Sequence, residues 1–176
     1  WLHLGTAVSA LIAFRGEIFD LARDNFRDPL HPSSLIRFGV MGTAVSMVIG
    51  VLVILTLDDL SAAVGAGAML GVGGALIGPA VVLRARPEGG TRTREDLSMV
   101  DAVAFGLAQG FAAIPGLSRS GLTVSVLLGR RMDRGEALAV SFLMSIPASL
   151  GAALLSALGG VGIGFVEGLV GAAVSA

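Results

Sequence analysis

The segment from Ile114 to Thr123 reads Ile-Pro-Gly-Leu-Ser-Arg-Ser-Gly-Leu-Thr, and it interrupts an apolar stretch that runs from Ala102 to Gly129. Arg119 is the only charged residue of that stretch. A charge near the bilayer centre costs roughly 3 kcal/mol or more, so it is rare without a partner or a wet cavity. Proline and glycine next to it break the helix, and broken backbone at membrane depth needs protein or water to satisfy it. The stretch predicts a helix, a break and a second helix; one straight span ending at Arg119 is the alternative.

The residues around the break are suited to binding a phosphate. Ser118, Arg119 and Ser120 head the second predicted helix, where backbone N–H groups and the helix dipole favour an anion. A guanidinium holds two oxygens of one phosphate, and hydroxyls add hydrogen bonds. Thr123 lies one turn further on. Gln109 is the only polar side chain between Ala102 and Ile114; it either orients a ligand or ties two helices together.

The composition is typical of a membrane protein. Hydrophobic residues make up 54% of the 176 residues, charged residues 14%, and the mean hydropathy is +0.86. The net charge of -1 gives no indication of nucleic-acid binding. The chain has no cysteine, which excludes disulfides and thiolate chemistry, and its two histidines are too few for a metal site.

Three long uncharged runs predict membrane spans. They cover Phe38–Leu57, Leu60–Leu83 and Ala137–Val166, with a kink expected at Pro147 in the third and a glycine-rich turn at residues 159–162. Shorter apolar runs at residues 1–14 and 168–176 look like clipped spans, so we expect an internal piece of a longer protein.

Three charged loops separate these runs. They cover Arg15–Arg37, Arg84–Asp101 and Arg130–Glu136, and together they hold 11 of the 12 arginines. If the first two runs both cross, the first two loops share one side, which the positive-inside rule makes cytoplasmic. The third loop joins them only if residues 102–129 enter and leave by the same face. Within the second loop, residues 93–96 carry a pattern that could cap the next helix.

The motif at residues 114–123 resembles the P-G-x-S-R-S-x-x-T motif of the undecaprenyl pyrophosphate phosphatases, an integral-membrane family linked to bacitracin resistance. The resemblance continues through Gly129–Ala137 and Ser141–Pro147, and the opening residues 4–7 and 14–15 also look like the family. It implies hydrolysis of a polyprenyl diphosphate to the monophosphate, which recycles the lipid carrier for peptidoglycan and other cell-wall glycans.

The resemblance also implies a fold: all-α, a polytopic inverted-repeat bundle with a re-entrant helix pair in each repeat, multi-pass in the plasma membrane. The chain would then be one membrane domain. Residues 1–86 would be the remainder of the first repeat, residues 87–99 a polar loop, and residues 100–176 the second repeat with its re-entrant segment at 102–129.

The resemblance assigns the site residues. Catalytic residues would be Arg119, Ser118 and Ser120; the substrate would also meet Thr123, Gln109, Gly116 and Gly121. The family's first loop, which carries an E-x-x-x-E stretch and a histidine, is not in these 176 residues. No metal ligand is therefore expected here, and a divalent cation (Mg²⁺ or Ca²⁺) would be bound through that loop. The nucleophile would be a serine or histidine of that loop, or a water, rather than Ser118 or Ser120, which have no base among these residues.

Two other functions stay open. A transporter or channel could bind an anion at a broken membrane helix, which needs a second gate rather than an acid–base group. Alternatively, Arg119 only snorkels to the surface and the break is structural. The expected partners are the lipid diphosphate and the bilayer, with a homodimer as an open alternative and no nucleic acid.

Overall fold

The computed structural model describes residues 2–27, 32–85, 90–114 and 117–158, and in these ranges the chain is helical with no strand. This confirms the all-α class. The seven helices are α1 (Leu2–Ala13), α2 (Arg15–Arg27), α3 (Ser34–Ala85), α4 (Met99–Phe111), α5 (Arg119–Gly129), α6 (Arg134–Leu143) and α7 (Ser145–Leu158). The described residues fall into two compact units. The described residues of 34–141 form one, and residues 2–27 and 32–33 with 142–158 form the other, in which α1 packs on α7.

Helix α3 differs from the prediction. Two separate spans, Phe38–Leu57 and Leu60–Leu83, were predicted, but one helix of 52 residues runs through both apolar runs. The segment between them contains two aspartates and no glycine or proline, and an acid does not by itself end a helix. The first part, Ser34–Thr56, is long and apolar enough to cross a membrane, by length and composition.

Helix α2 lies where a loop was predicted. Its charged residues led us to expect irregular structure over Arg15–Arg37, yet residues 15–27 form a helix with Glu17 in the first turn, where a carboxylate stabilises the helix dipole. Its charges alternate with apolar residues, as in many solvated helices, and Phe19 and Phe26 are exposed. Charge content alone therefore did not distinguish a loop from an amphipathic helix.

The kink predicted at Pro147 is confirmed. Helix α6 ends at Leu143 and α7 begins at Ser145. Proline has no N–H to donate and its ring clashes with the carbonyl four residues earlier, which is that of Leu143. The glycine-rich turn predicted at residues 159–162 lies outside the described residues.

Helices α3 and α4 run parallel and pack closely. Residues 42, 45 and 49 of α3 lie opposite residues 105, 106 and 110 of α4, so the pairing ascends on both helices. A Cβ atom on Gly106 would lie 2.7 Å from the carbonyl oxygen of Gly42, and one on Gly110 would lie 2.6 Å from the Cβ of Ile49. The two glycines, four residues apart, bring the backbones together as small residues do between membrane helices.

We expect Gly106→Ala to destabilise the protein by ~1–3 kcal/mol, because the added methyl forces α3 and α4 apart. Gly42→Ala is the matched control on the same interface. Its Cβ would meet Ala102 O at 3.4 Å and a Phe105 ring carbon at 3.5 Å, which are ordinary contacts. Thermal unfolding in detergent measures both variants, and equal stability of the two would contradict the close approach.

Helices α4 and α5 form an antiparallel hairpin. Asp101, in the first turn of α4, accepts a hydrogen bond of 2.5 Å from Nε of Arg130, the C-cap of α5. The start of one helix therefore lies beside the end of the other. The break between Phe111 and Arg119, called the apex here, lies at the opposite end; its residues 115 and 116 are not described. The predicted helix–break–helix is confirmed.

Candidate functional site

Ion pairs to a buried carboxylate close the base of the α4–α5 hairpin. Asp101 is 1% exposed and accepts five hydrogen bonds from Arg92, Ser98 and Arg130, and we call these four residues the base cluster. The shortest bonds after that of Arg130 come from Nη2 of Arg92 and Oγ of Ser98, both at 2.7 Å. Asp101 thereby joins the second charged loop to the start of α4 and to the end of α5.

The electrostatics of the base cluster favour the charged carboxylate. Burial raises the pKa of Asp101, but the hydrogen bonds from Arg92, Arg130 and Ser98 outweigh it, and the net pKa lies well below the ordinary value. The pKa of Arg92 is raised, chiefly by its hydrogen bond to Asp101. Both partners are therefore charged at neutral pH.

A second set of contacts joins the second charged loop, before α4, to the third charged loop, after α5. Arg94 Nε lies 2.7 Å from Glu136 Oε2, and the pKa of Glu136 is lowered chiefly by this bond. Backbone bonds run from Gly90 N to Met132 O and from Asp133 N to Arg92 O, both at 2.8 Å. The second and third charged loops are therefore in contact with each other.

The predicted capping pattern at residues 93–96 is present, but the helix that it caps is the short 3-10 helix Arg94–Asp96. Asp96 accepts a hydrogen bond from the backbone N–H of Thr93. Helix α4 is instead capped by Ser98, whose side chain accepts from Asp101 N. The Ser98-x-x-Asp101 spacing carries the same signal, so the sequence offered two equivalent cap patterns.

The apex end of α5 carries the predicted phosphate-binding residues. Ser118 is the N-cap, and its Oγ accepts from Gly121 N at 3.2 Å. Ser118 and Ser120 are exposed, their hydroxyl oxygens are 3.5 Å apart, and Arg119 between them is half-buried. Gly121 leaves room for the cap, since a Cβ there would lie 3.1 Å from Ser118 Oγ. The hydroxyls and the guanidinium lie together at a helix N-terminus.

Thr123 points into the protein. It is 1% exposed, and its Oγ1 lies 2.9 Å from the carbonyl oxygen of Arg119 and 2.7 Å from Oγ of Ser141 on α6. Ser141 is also buried. A direct bond from Thr123 to a ligand would require exchanging these partners. The resemblance had included Ser141 without giving it a role.

Gln109 ties α4 to α3. Its Nε2 donates to Ser46 Oγ at 3.2 Å, and the side chain is buried. This is the tie that the sequence analysis left open beside a ligand role. Its Oε1 is buried with no hydrogen-bond partner among the described residues.

The described residues do not fit a metal ion. Within them, no group of three or more histidine, aspartate or glutamate side chains could hold one. Near the apex the described polar side chains carry hydroxyls, the guanidinium of Arg119 and the amide of Gln109, and a guanidinium repels a cation. Gly116, predicted to meet the substrate, lies outside the described residues.

Comparison with known proteins identifies the family. A family model described as bacitracin resistance protein BacA matches residues 1–176. The chain belongs to the BacA family. This agrees with the resemblance carried by residues 114–147, and the match includes the base cluster as well as the apex.

Curated relatives of this BacA-family chain are named undecaprenyl-diphosphatase. The one from Methanopyrus kandleri is 42% identical over 157 residues, which is 88% of this chain and 57% of the relative. Those from Methanococcoides burtonii and Methanothrix thermoacetophila are 38% and 37% identical, and the matches cover 95% and 91% of this chain and 63% and 59% of those relatives. The chain thus spans about three-fifths of the length of these relatives.

Proposed function

We propose that this chain supplies the arginine–serine half of an active site that hydrolyses a polyprenyl diphosphate, such as undecaprenyl diphosphate, to the monophosphate and inorganic phosphate. The relatives' names support the reaction, and the family supports transfer to this chain. One observation carries the assignment of the site: Arg119 sits between Ser118 and Ser120 at the N-terminus of a helix that begins within an apolar segment.

Hydrolysis of the diphosphate depends more on neutralising negative charge than on covalent catalysis. A water oxygen attacks the terminal phosphorus while a base outside the described residues takes one of its protons, the bridging P–O bond breaks, and the lipid monophosphate leaves with the bridging oxygen. Negative charge spreads over the terminal oxygens in the transition state. Arg119 would hold two of them, while Ser118 and Ser120 would each donate one hydrogen bond.

The proposed membrane placement is re-entrant. Helices α4 and α5 would enter from the face that carries the base cluster and return to it, so that Arg119 lies within the bilayer. The apolar character of α4 and the span Ser34–Thr56 beside it support this placement. A 13-residue helix is ~20 Å long, which takes the apex well into a hydrocarbon core of ~30 Å.

The remaining groups of the site would come from outside the described residues. Acid–base groups, the nucleophile-activating residue and the ligands of any Mg²⁺ or Ca²⁺ ion belong to this set. A multi-pass location in the plasma membrane, the inverted repeat and assembly as a homodimer stay predictions.

We expect the 176-residue chain alone to be inactive, because its described residues offer no carboxylate or histidine near Arg119 to activate water. The full-length protein should release phosphate from a polyprenyl diphosphate in detergent, and the two proteins are compared in one phosphate assay. An inactive full-length protein that still binds the lipid diphosphate would overturn the hydrolase assignment in favour of an anion-binding transporter. Phosphate release by the 176-residue chain would show that it carries a complete site.

A further inference from the structure

We infer that Ser141 is a positioning residue for the phosphate site, acting on Arg119 through the hydroxyl of Thr123; the inference rests on the proposed function. Ser141 lies on α6, and Arg119 begins α5. The inference makes Thr123 an internal strut instead of a substrate contact.

The distances between the hydroxyl and carbonyl oxygens assign a donor and an acceptor to each hydrogen bond. The carbonyl of Arg119 can only accept, so the single Thr123 hydroxyl proton goes to it over 2.9 Å. The oxygen of Thr123 then accepts from Ser141, 2.7 Å away. This arrangement satisfies the carbonyl and both hydroxyls at once, in a place where Thr123 is 1% and Ser141 5% exposed.

The relay reaches Arg119 because of where it attaches. Arg119 is the first residue of α5, so the chain that precedes it belongs to the apex and not to a helix. The Ser141–Thr123–Arg119 relay joins that first turn to a neighbouring helix. A reacting group displaced by 1 Å can cost ~10²-fold in rate, so a looser first turn lowers turnover even when the substrate still binds.

The test is a double-substitution cycle in the full-length protein. Ser141→Ala removes the donor, and Thr123→Val removes the relay while keeping the shape. Each variant is expected to lower kcat about 10-fold with KM changed less than about twofold, and the double variant is expected to be no worse than either single one. Ser141→Thr, which keeps a hydroxyl, should recover most of the activity.

Ser149→Ala is the matched control for removing a buried serine hydroxyl. Ser149 lies on α7, is 1% exposed, and its hydroxyl has no hydrogen-bond partner among the described residues. Its activity should equal that of the unsubstituted protein. If Ser141→Ala does not fold, Ser141→Cys takes its place, because a thiol of similar size is a weak donor.

Four results would overturn the inference. They are a normal kcat in folded Ser141→Ala, a loss seen only in KM, a Ser141→Thr variant no better than Ser141→Ala, and losses that multiply to about 100-fold in the double variant. Multiplied losses would mean that Thr123 meets the substrate independently of Ser141. An inactive unsubstituted protein would overturn the proposed function and this inference with it. If the unsubstituted protein is active, the Ser141 variants test the positioning role alone.

Discussion

Arg119→Lys is expected to lower turnover of the full-length protein by ~10²-fold or more, the scale seen when one positioned transition-state donor is lost. Lysine keeps the charge but lacks the planar fork that grips two phosphate oxygens. Ser118→Ala should cost less, since it removes one neutral hydrogen bond of ~1 kcal/mol net. Phosphate release from a polyprenyl diphosphate measures each variant.

Arg37→Lys is the control for arginine-to-lysine replacement as such. Arg37 is exposed on α3, with Nη2 3.5 Å from Ser34 Oγ, and its replacement should leave turnover within about twofold. Near-normal turnover in folded Arg119→Lys protein would defeat the phosphate-clamp assignment. It would favour an arginine that only snorkels, for which either long side chain serves.

Asp101→Ala is expected to have the largest effect on stability, a loss of ~2–3 kcal/mol in the free energy of unfolding, because charge-assisted hydrogen bonds to a buried carboxylate are lost while Arg92 and Arg130 keep access to water. The substitution leaves the guanidinium groups of Arg92 and Arg130 together without the carboxylate between them, and it also removes the capping partner of Ser98. Glu136→Ala is the matched control, because it breaks the Arg94 pair, whose side chains are 32% and 25% exposed. That pair should contribute only about 1 kcal/mol or less.

Denaturation in detergent compares the two variants with the unsubstituted protein, and equal losses would contradict a special role of the base cluster.

The pH dependence of stability tests whether the charge of the Asp101 carboxylate is what stabilises the base cluster. The folded pKa of Asp101 lies below its unfolded value, so its stabilisation is complete above the ordinary carboxyl pKa of ~4 and is lost as the pH falls towards the folded pKa. The stability gap between Asp101→Asn and the unsubstituted protein should therefore narrow below about pH 4.

The sequence predicted the features that depend on local chemistry. Pro115 and Gly116 indicated the break between α4 and α5, Ser118 was expected at the head of α5, and Pro147 was expected to kink the third apolar run. In each case one residue type removes a hydrogen bond or supplies a cap, so that neighbours within four residues decide the outcome. The all-α class was implied by the family resemblance.

The features missed by the sequence depend on partners far along the chain. Asp101 was read only as the end of a loop, yet its partner Arg130 lies 29 residues away. The partner of Ser141 is Thr123, 18 residues earlier, and sequence spacing gives no sign of this contact between α5 and α6. The continuity of α3 was missed for another reason: two adjacent acids resemble a loop in hydropathy, but helices accommodate them readily.

The close parallel contact of α3 with α4 means that protein, rather than lipid, sets the depth of Arg119. In the proposed placement, sliding α4 by one helical turn would move the apex by ~5.4 Å and leave only one of the two contact positions occupied by a glycine, the other by Ala102 or Ile114. With the hairpin ~20 Å deep in the proposed placement, ~10 Å of hydrocarbon separates the apex from the far headgroups. The length of the lipid tails would then affect catalysis. Shorter tails would bring the far headgroups closer to Arg119, and longer tails would place a thicker hydrocarbon layer between them.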